Sequence, residues 1–189
     1  MKIAAQKKIG GILLGLSFFS ILMAGSAPKA WAGTSSEIDA GVEGTLDRFY
    51  DEVKSGKKLV QDAKGVLVFP AVFKAGIGIG GEYGEGALKI HGKTVDYYST
   101  AAASVGFQLG AQKKSIIIIF LQESALKQFQ ASSGWKAGVD ASVALVTVGA
   151  GGEMDTAKLK EPIVGFIFGQ AGLMYNLTLE GAKITKLRK

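Results

Sequence analysis

The amino-acid sequence predicts one α+β domain built on an antiparallel, strongly bent, glycine-rich β-sheet, or on a sheet that partly closes into a barrel. The first observation is an apolar stripe with helical spacing across residues 37–54, which predicts an N-terminal amphipathic helix. The second is the pattern after residue 62, where apolar residues alternate in short segments that contain most of the 27 glycines. Glycines inside strands favour sharp bends, because they let another backbone approach closely.

The first 32 residues have the pattern of a secretory signal peptide. Lysines at positions 2, 7 and 8 precede an uncharged apolar stretch, and Ala30-Trp31-Ala32 forms a small-residue cleavage site. An N-terminal transmembrane anchor is the alternative, but the stretch is short for a span of about 20 residues. The sequence therefore predicts cleavage after Ala32, one domain at residues 33–189, and export to the periplasm or cell envelope.

Two helical segments and a short internal helix are expected. Ser36 is the expected N-cap of the helix at 37–54, whose stripe consists of Ile38, Val42, Leu46, Phe49 and Val53. Gly56 ends or kinks this helix, which can resume as far as Asp62. Ser124 is the expected cap of the short internal helix "ALKQFQAS".

The remaining segments alternate like strands. A strand at 65–70 is expected to stop at Pro70, and residues 86–99 form a hairpin that turns near His91-Gly92-Lys93. Residues 103–122 are expected to form two strands with a turn at Gln112-Lys113-Lys114. Further strand regions are expected at 135–149 and 163–187, and the polar segment 149–162 is expected to be a loop.

Gly76, Gly78 and Gly81 match the G-x-G-x-x-G spacing of dinucleotide-binding loops. That motif requires a helix directly after the glycines to receive the pyrophosphate, and the sequence that follows alternates as a strand instead. A structural role is the better interpretation, since Gly76, Gly78 and Gly80 share one face of a strand at period two. The glycines given this role are Gly65, Gly76, Gly78, Gly80 and Gly81.

Composition argues against several classes of function. The net charge of +6 falls to +2 for residues 33–189, because the leader holds four lysines and no acid; this is too weak for a typical nucleic-acid binder. With no Cys and one His, no metal site or cofactor is predicted. His91 lies in a predicted turn and is expected to be exposed. Glu82, Glu85 and Asp96 leave a hydrolase as a remote option, and the prediction is that the protein is not an enzyme.

The block "DAKGVLVFPAVFKAGIGIGGEYGEGAL" (62–88) resembles the opening signature of the SYLF domain family, and the chain resembles the secreted bacterial single-domain form of that family. Further similar blocks are "GFQLGAQKKSIIIIFLQESALKQF" (106–129), "VDASVALVTVGAGGE" (139–153) and "GLMYNLTLEGAKI" (172–184). The resemblance covers roughly residues 40–187 and implies binding of membrane lipids, especially phosphoinositides in the eukaryotic members that carry an SH3 module. Some members also bind actin, which is not expected of an exported protein.

The sequence departs from the family in its first helix. Lipid binding in the eukaryotic members is attributed to a basic amphipathic segment before the signature, whereas residues 37–54 carry a net charge of −4. An anionic bilayer repels such a helix. We therefore expect a non-enzymatic module that binds anionic lipid surfaces peripherally, through basic residues elsewhere. The candidates are Lys57, Lys58, Lys64, Lys113, Lys114, Lys183, Lys186, Arg188 and Lys189. The alternative is a structural or envelope-interaction protein without specific lipid binding.

Overall fold

The computed structural model describes residues 33–148, 161–172, 179 and 181–189. The predicted signal peptide and residues 149–160 of the predicted loop lie outside the described residues. The described elements fall in the following order: α1 Ser35–Glu52, α2 Gly56–Asp62, β1 Gly65–Ile90, β2 Lys93–Phe120, α3 Glu123–Ala131, β3 Trp135–Lys136, β4 Ala144–Thr147, β5 Ile163–Gly172 and β6 Lys183–Leu187. The predicted α+β class, with an N-terminal amphipathic helix and a short internal helix, is confirmed.

Helix α1 begins two residues earlier than predicted, at Ser35 and not at Glu37. Thr34 is the N-cap: its hydroxyl accepts a hydrogen bond from the Glu37 amide at 3.2 Å, and the Glu37 carboxylate accepts one from the Thr34 amide at 2.7 Å. The prediction of Ser36 was wrong because this reciprocal arrangement needs Glu or Gln three residues after the cap, and Ser36 is followed there by Asp39. Asp39 instead accepts hydrogen bonds from Thr94 and Tyr97 of β2.

Strands β1 and β2 form one long antiparallel ribbon. The turn at His91 and Gly92 is confirmed, and both residues have positive φ, 50° and 78°. The predicted stop at Pro70 was wrong, because a register shift between Phe69 and Val72 creates a bulge that accommodates the proline within the strand. The predicted turn at 112–114 was also wrong: β2 continues through it, with alternate residues buried and exposed.

The ribbon bends sharply near Gly78, where the register shifts between Ile77 and Ile79. A Cβ on Gly76 would lie 2.6 Å from the Ile79 carbonyl oxygen and would overlap the Gly80 backbone. The bend interrupts the predicted period-two face, because it brings Gly76 against Gly80 instead of aligning the two residues along a strand. No helix follows these glycines, so the dinucleotide motif lacks the element that it requires.

Beyond this bend, the second half of β1 lies across the first half. A Cβ on Gly84 would lie 2.7 Å from the Ala71 carbonyl oxygen, and one on Gly86 would overlap the Val68 carbonyl oxygen. Side chains at these positions would force the two halves apart. Two glycines that the sequence did not single out therefore permit the close approach that curves the sheet into a half-barrel.

The described strands form one sheet in the order β3-β6-β2-β5-β4, with β1 paired to β2. All pairs are antiparallel except β4 with β5. Apolar residues fill both faces of the sheet. The inner cluster includes Leu67, Phe69, Ile116 and Ile118. The outer cluster lies under α1 and contains all five residues of the predicted stripe: Ile38, Val42, Leu46, Phe49 and Val53.

Helix α3 closes one side of the inner cluster. Its N-cap is Gln122 and not the predicted Ser124, which lies in the first turn. The ring of Phe129 contacts those of Tyr98, Phe120 and Trp135, with centroids 4.9, 5.0 and 5.5 Å away. Gly65 faces the same helix, since a Cβ there would lie 2.8 Å from Leu126 Cδ1. The aromatic contacts thus fix α3 against the start of the ribbon.

Candidate functional site

The outer face of the ribbon is only partly covered. Helix α1 packs over the part that includes Val66, Val68 and Ala87. Towards the bend the outward side chains are exposed, and Phe73, Ile79 and Tyr83 are 45%, 73% and 45% accessible. We call this uncovered surface the open face; its described members are Phe73, Ala75, Ile79, Gly81, Tyr83, Ala101, Ala103, Ala111 and Lys113.

Two lysines extend the open face across the neighbouring strands. Tyr83 of β1 is paired with Ala101 of β2, Ala101 with Lys183 of β6, and Lys183 with Lys136 of β3. Directly paired residues in antiparallel strands project to the same side of a sheet. Neighbouring strands lie about 4.8 Å apart, so this row runs roughly 14 Å from an exposed tyrosine to two exposed lysines.

A third lysine lies on the opposite flank of the apolar surface. Lys113 is paired with Phe73, and its Nζ lies 5.8 Å from the centre of the Phe73 ring. This is cation–π distance, and it keeps the ammonium over an exposed aromatic face. The open face therefore has apolar side chains in its middle and cations on two sides.

The carboxylate that borders this surface is neutralised. Glu85 accepts a hydrogen bond from the Tyr83 hydroxyl at 2.8 Å and an ion-pair contact from Lys189 at 2.9 Å. Burial, followed by the hydrogen bond to Glu85, raises the pKa of Tyr83 to about 12. The phenol is therefore a neutral donor at physiological pH. Glu85 adds little negative charge to the open face, because Lys189 offsets it.

The predicted basic residues do not form one patch. Lys113 and Lys183 belong to the open face. Lys186 is paired with Asp96 at 2.6 Å and Lys189 with Glu85, while Arg188 is exposed. Lys114 was assigned to a surface turn, but it is buried in the interior and paired with Glu82 at 2.9 Å.

Lys57, Lys58 and Lys64 lie on a different part of the molecule. They are exposed on α2 and directly after it, beside a cavity of about 440 Å³ between α1, α2 and the hairpin turn. His91 is exposed, as the sequence predicted for a turn residue, and it also lines this cavity. The cavity has an apolar floor, and the ion pair between Lys89 and Glu43 lies at its edge. Its lining residues are Glu43, Leu46, Tyr50, Val60, Gln61, Ala63, Gly65, Val66, Lys89, His91 and Gly92.

Lys136 was not among the predicted residues. It lies 47 positions before Lys183 in the chain, and its neighbours Trp135 and Ala137 suggest only a strand edge. The two lysines meet because β3 and β6 pair in one register. The alternation of buried and exposed residues can predict that Lys136 and Lys183 each point outward. No pattern along the chain predicts that β3 and β6 are neighbours in the sheet.

The structure separates the three carboxylates considered for hydrolysis. Glu82 contacts Lys114, Glu85 contacts Lys189, and Asp96 contacts Lys186, so each is engaged by a different lysine. In the described part of the chain, no three His, Cys, Asp or Glu side chains are grouped closely enough to hold a metal ion. None of the described helices has the length and apolar character needed to cross a membrane.

The bent ribbon and its covering helix define an α+β domain with a half-barrel sheet. Residues 101–189 match the model of the Ysc84 family, which is described as "Las17-binding protein actin regulator". This match is consistent with a member of the SYLF domain family, the family that the sequence blocks resemble. The family is associated with lipid binding and actin regulation. The matched region includes Lys113, Lys136 and Lys183. Among curated proteins, none shows significant sequence similarity to the chain.

Proposed function

We propose that this protein is a non-enzymatic, exported module that binds anionic lipid surfaces peripherally through its open face. The observation that carries the proposal is the adjacent pair of exposed lysines, Lys136 and Lys183, beside an exposed apolar surface. Neither lysine forms an ion pair with any described residue. Each basic residue held near an anionic membrane contributes about 1 kcal/mol.

The pairing of Lys136 with Lys183 is unfavourable in the free protein. Like charges directly opposite each other on antiparallel strands destabilise a sheet, by up to about 1 kcal/mol. An anionic surface placed over the pair would replace this repulsion with attraction to both lysines. The Lys136–Lys183 pair therefore favours a function in which this face binds an anionic surface.

Vesicle co-sedimentation tests the proposal. The protein is mixed with phosphatidylcholine vesicles and with vesicles that contain increasing fractions of phosphatidylglycerol. We expect binding only to the anionic vesicles, and release at 1 M salt, where the Debye length is about 3 Å. Replacing Lys113, Lys136 and Lys183 by Gln should weaken binding roughly a hundredfold, at about 1 kcal/mol for each lysine.

A matched control removes the same charge from another surface. Replacing Lys57, Lys58 and Lys64 by Gln should have a much smaller effect, because these lysines lie beside the α1/α2 cavity and not on the open face. Equal losses in the two triple variants would show that binding depends on net charge and not on this face.

The second candidate function is a structural or envelope-interaction protein without specific lipid binding. The acidic surface of α1 favours it, since Glu43, Asp47, Asp51 and Glu52 are all exposed. The absence of binding to either kind of vesicle would support this function and contradict the first.

Export is part of the proposal and has its own test. Intact-mass measurement of the exported protein should show loss of the first 32 residues; a mass that includes them would indicate an uncleaved anchor. Actin regulation, which the family description names, is not proposed here, because an exported protein would not meet cytoplasmic filaments. Nucleic acid is not proposed either, given the net charge of +2 for residues 33–189.

A further inference from the structure

The most exposed large apolar side chain in the described part of the protein lies at the bend of β1. Ile79 is 73% accessible, and Phe73, at 45%, precedes the same bend. Single exposed apolar residues are common and need no explanation. Here they occupy outward positions on both sides of one bend, together with Tyr83 and with exposed alanines of both strands. Exposed apolar surfaces with polar rims mark contacts with membranes or proteins.

The lysines of the open face decide between these two partners. A symmetric contact between two copies of the chain would bring Lys113, Lys136 and Lys183 of one copy near those of the other, and like charges would oppose it. An anionic bilayer attracts the same three residues. Tyrosine and lysine side chains also anchor proteins at the membrane interface. Each combines an apolar body with a polar or charged end, so it can contact both acyl chains and water.

The backbone of the bend suits shallow insertion. Residues 73–77 and 79–83 are paired with β2 on both sides of the register shift. Inserting the tips of these outward side chains therefore removes apolar atoms from water while the backbone groups of the two paired segments keep their partners. Gly76 and Gly80 fix the curvature that presents Ile79, because their backbones are in contact.

From these observations we propose that Ile79 and Phe73 insert into the interfacial region of an anionic bilayer, while Lys113, Lys136 and Lys183 contact lipid phosphates. This inference rests on the proposed function and specifies which residues enter the membrane. It differs from the expectation of purely electrostatic attachment, because it adds a hydrophobic contact that a sheet, and not a helix, supplies.

Tryptophan fluorescence at single positions tests the insertion. Ile79→Trp places a reporter at the bend, and the spectrum of the unsubstituted protein is subtracted to remove the buried Trp135 and any contribution from Trp31. With vesicles containing phosphatidylglycerol, we expect a blue shift of the difference spectrum and quenching by brominated acyl chains.

Val95→Trp is the matched control. Val95 is also an exposed apolar residue of the ribbon, at 45% accessibility, but it lies ten residues along β2 from Val105, the partner of Ile79. This corresponds to roughly 33 Å along the strand. Its emission should not change when vesicles are added. Ile79→Asp should weaken vesicle binding about tenfold, and Val95→Asp should not.

The outcomes separate the inference from the proposed function. If the unsubstituted protein sediments with anionic vesicles but Ile79→Trp emission is unchanged, the insertion is wrong and peripheral binding stands. If the emission of Ile79→Trp and Val95→Trp shifts equally, the vesicles unfold the protein or adsorb it without a preferred orientation, and the inference is wrong. A blue shift that needs no vesicles and grows with protein concentration would indicate a second copy of the chain. No sedimentation at all would overturn both proposals.

Discussion

The Nζ of Lys114 lies 2.9 Å from Glu82 Oε2 in the interior of the bent sheet, where the two side chains are only 1% and 6% accessible. Lys114 belongs to the C-terminal half of β2, and Glu82 to the half of β1 beyond the bend. Because β1 folds back on itself, the ion pair links the two halves of the ribbon. Two buried charges are tolerated here only while they remain together, because separating them leaves an unpaired charge in the interior.

Replacing Lys114 by Met should therefore be strongly destabilising. The variant leaves the Glu82 carboxylate buried without its ammonium partner, at an expected cost of about 3–5 kcal/mol in the free energy of unfolding. Urea denaturation measures this loss. The double variant Lys114→Met/Glu82→Leu should be more stable than the single variant, since it removes both charges. A double variant less stable than Lys114→Met would contradict the coupling.

Leu46 tests the packing of α1. It is buried between the helix and the outer face of the sheet, so Leu46→Ala should lower the free energy of unfolding by about 2–5 kcal/mol. Asp47→Ala is the control, because Asp47 is exposed on the next position of the same helix. A loss below about 0.5 kcal/mol for Leu46→Ala, the level of ordinary surface substitutions, would place the stripe outside the core.

Two glycines of β1 should respond oppositely to alanine. A Cβ on Gly86 would overlap the Val68 carbonyl oxygen, so Gly86→Ala should destabilise the protein by about 1–3 kcal/mol or prevent folding. Gly81 has no atom within 4 Å of a Cβ built there, although the sequence suggested a structural role for it. Gly81→Ala should be neutral or slightly stabilising. Thermal denaturation of both variants decides the matter, and a larger loss for Gly81 would contradict the observed packing.

The N-cap of α1 can be tested at two neighbouring positions. Thr34→Ala removes the hydroxyl that accepts from the Glu37 amide and should cost about 1 kcal/mol. Ser36→Ala should cost much less, because Ser36 lies inside the first turn and not at the cap. Chemical denaturation of the two variants at neutral pH provides the comparison, and the reverse order would restore Ser36 as the cap.

The same cap predicts a pH dependence. The hydrogen bonds from the Thr34 amide, first, and the Thr34 hydroxyl, second, lower the pKa of Glu37 below its ordinary value of 4.5. Since the folded-state pKa is the lower one, this contribution to stability is complete above the ordinary value and is lost as the pH falls through the lowered one. The free energy of unfolding of Glu37→Gln should therefore decrease less between neutral and acidic pH than that of the unsubstituted protein. An unchanged pH profile would show that the carboxylate does not act at the cap.

The amino-acid sequence by itself determined the features that depend on neighbours along the chain. The stripe from Ile38 to Val53 predicted α1 and its buried side, because helical spacing places those residues on one face. The segment His91-Gly92-Lys93 between two alternating runs predicted the hairpin turn, where His91 and Gly92 have positive φ in the structure. Alternation beyond residue 62 predicted a sheet, and the glycines within it predicted a strong bend.

Tertiary structure alone decided how distant segments meet. The bulge around Pro70 lets β1 continue. The fold of β1 over itself makes Lys114 an interior residue and places Gly86 against the Val68 carbonyl group. The same holds for the open face, where Lys136 and Lys183 are neighbours only because β3 and β6 pair in one register. Local patterns fix which way each side chain points. Strand pairing and register depend on the free energy of the whole sheet, which includes contacts between segments far apart in the chain. The residues that lie opposite each other on paired strands therefore cannot be found from local patterns.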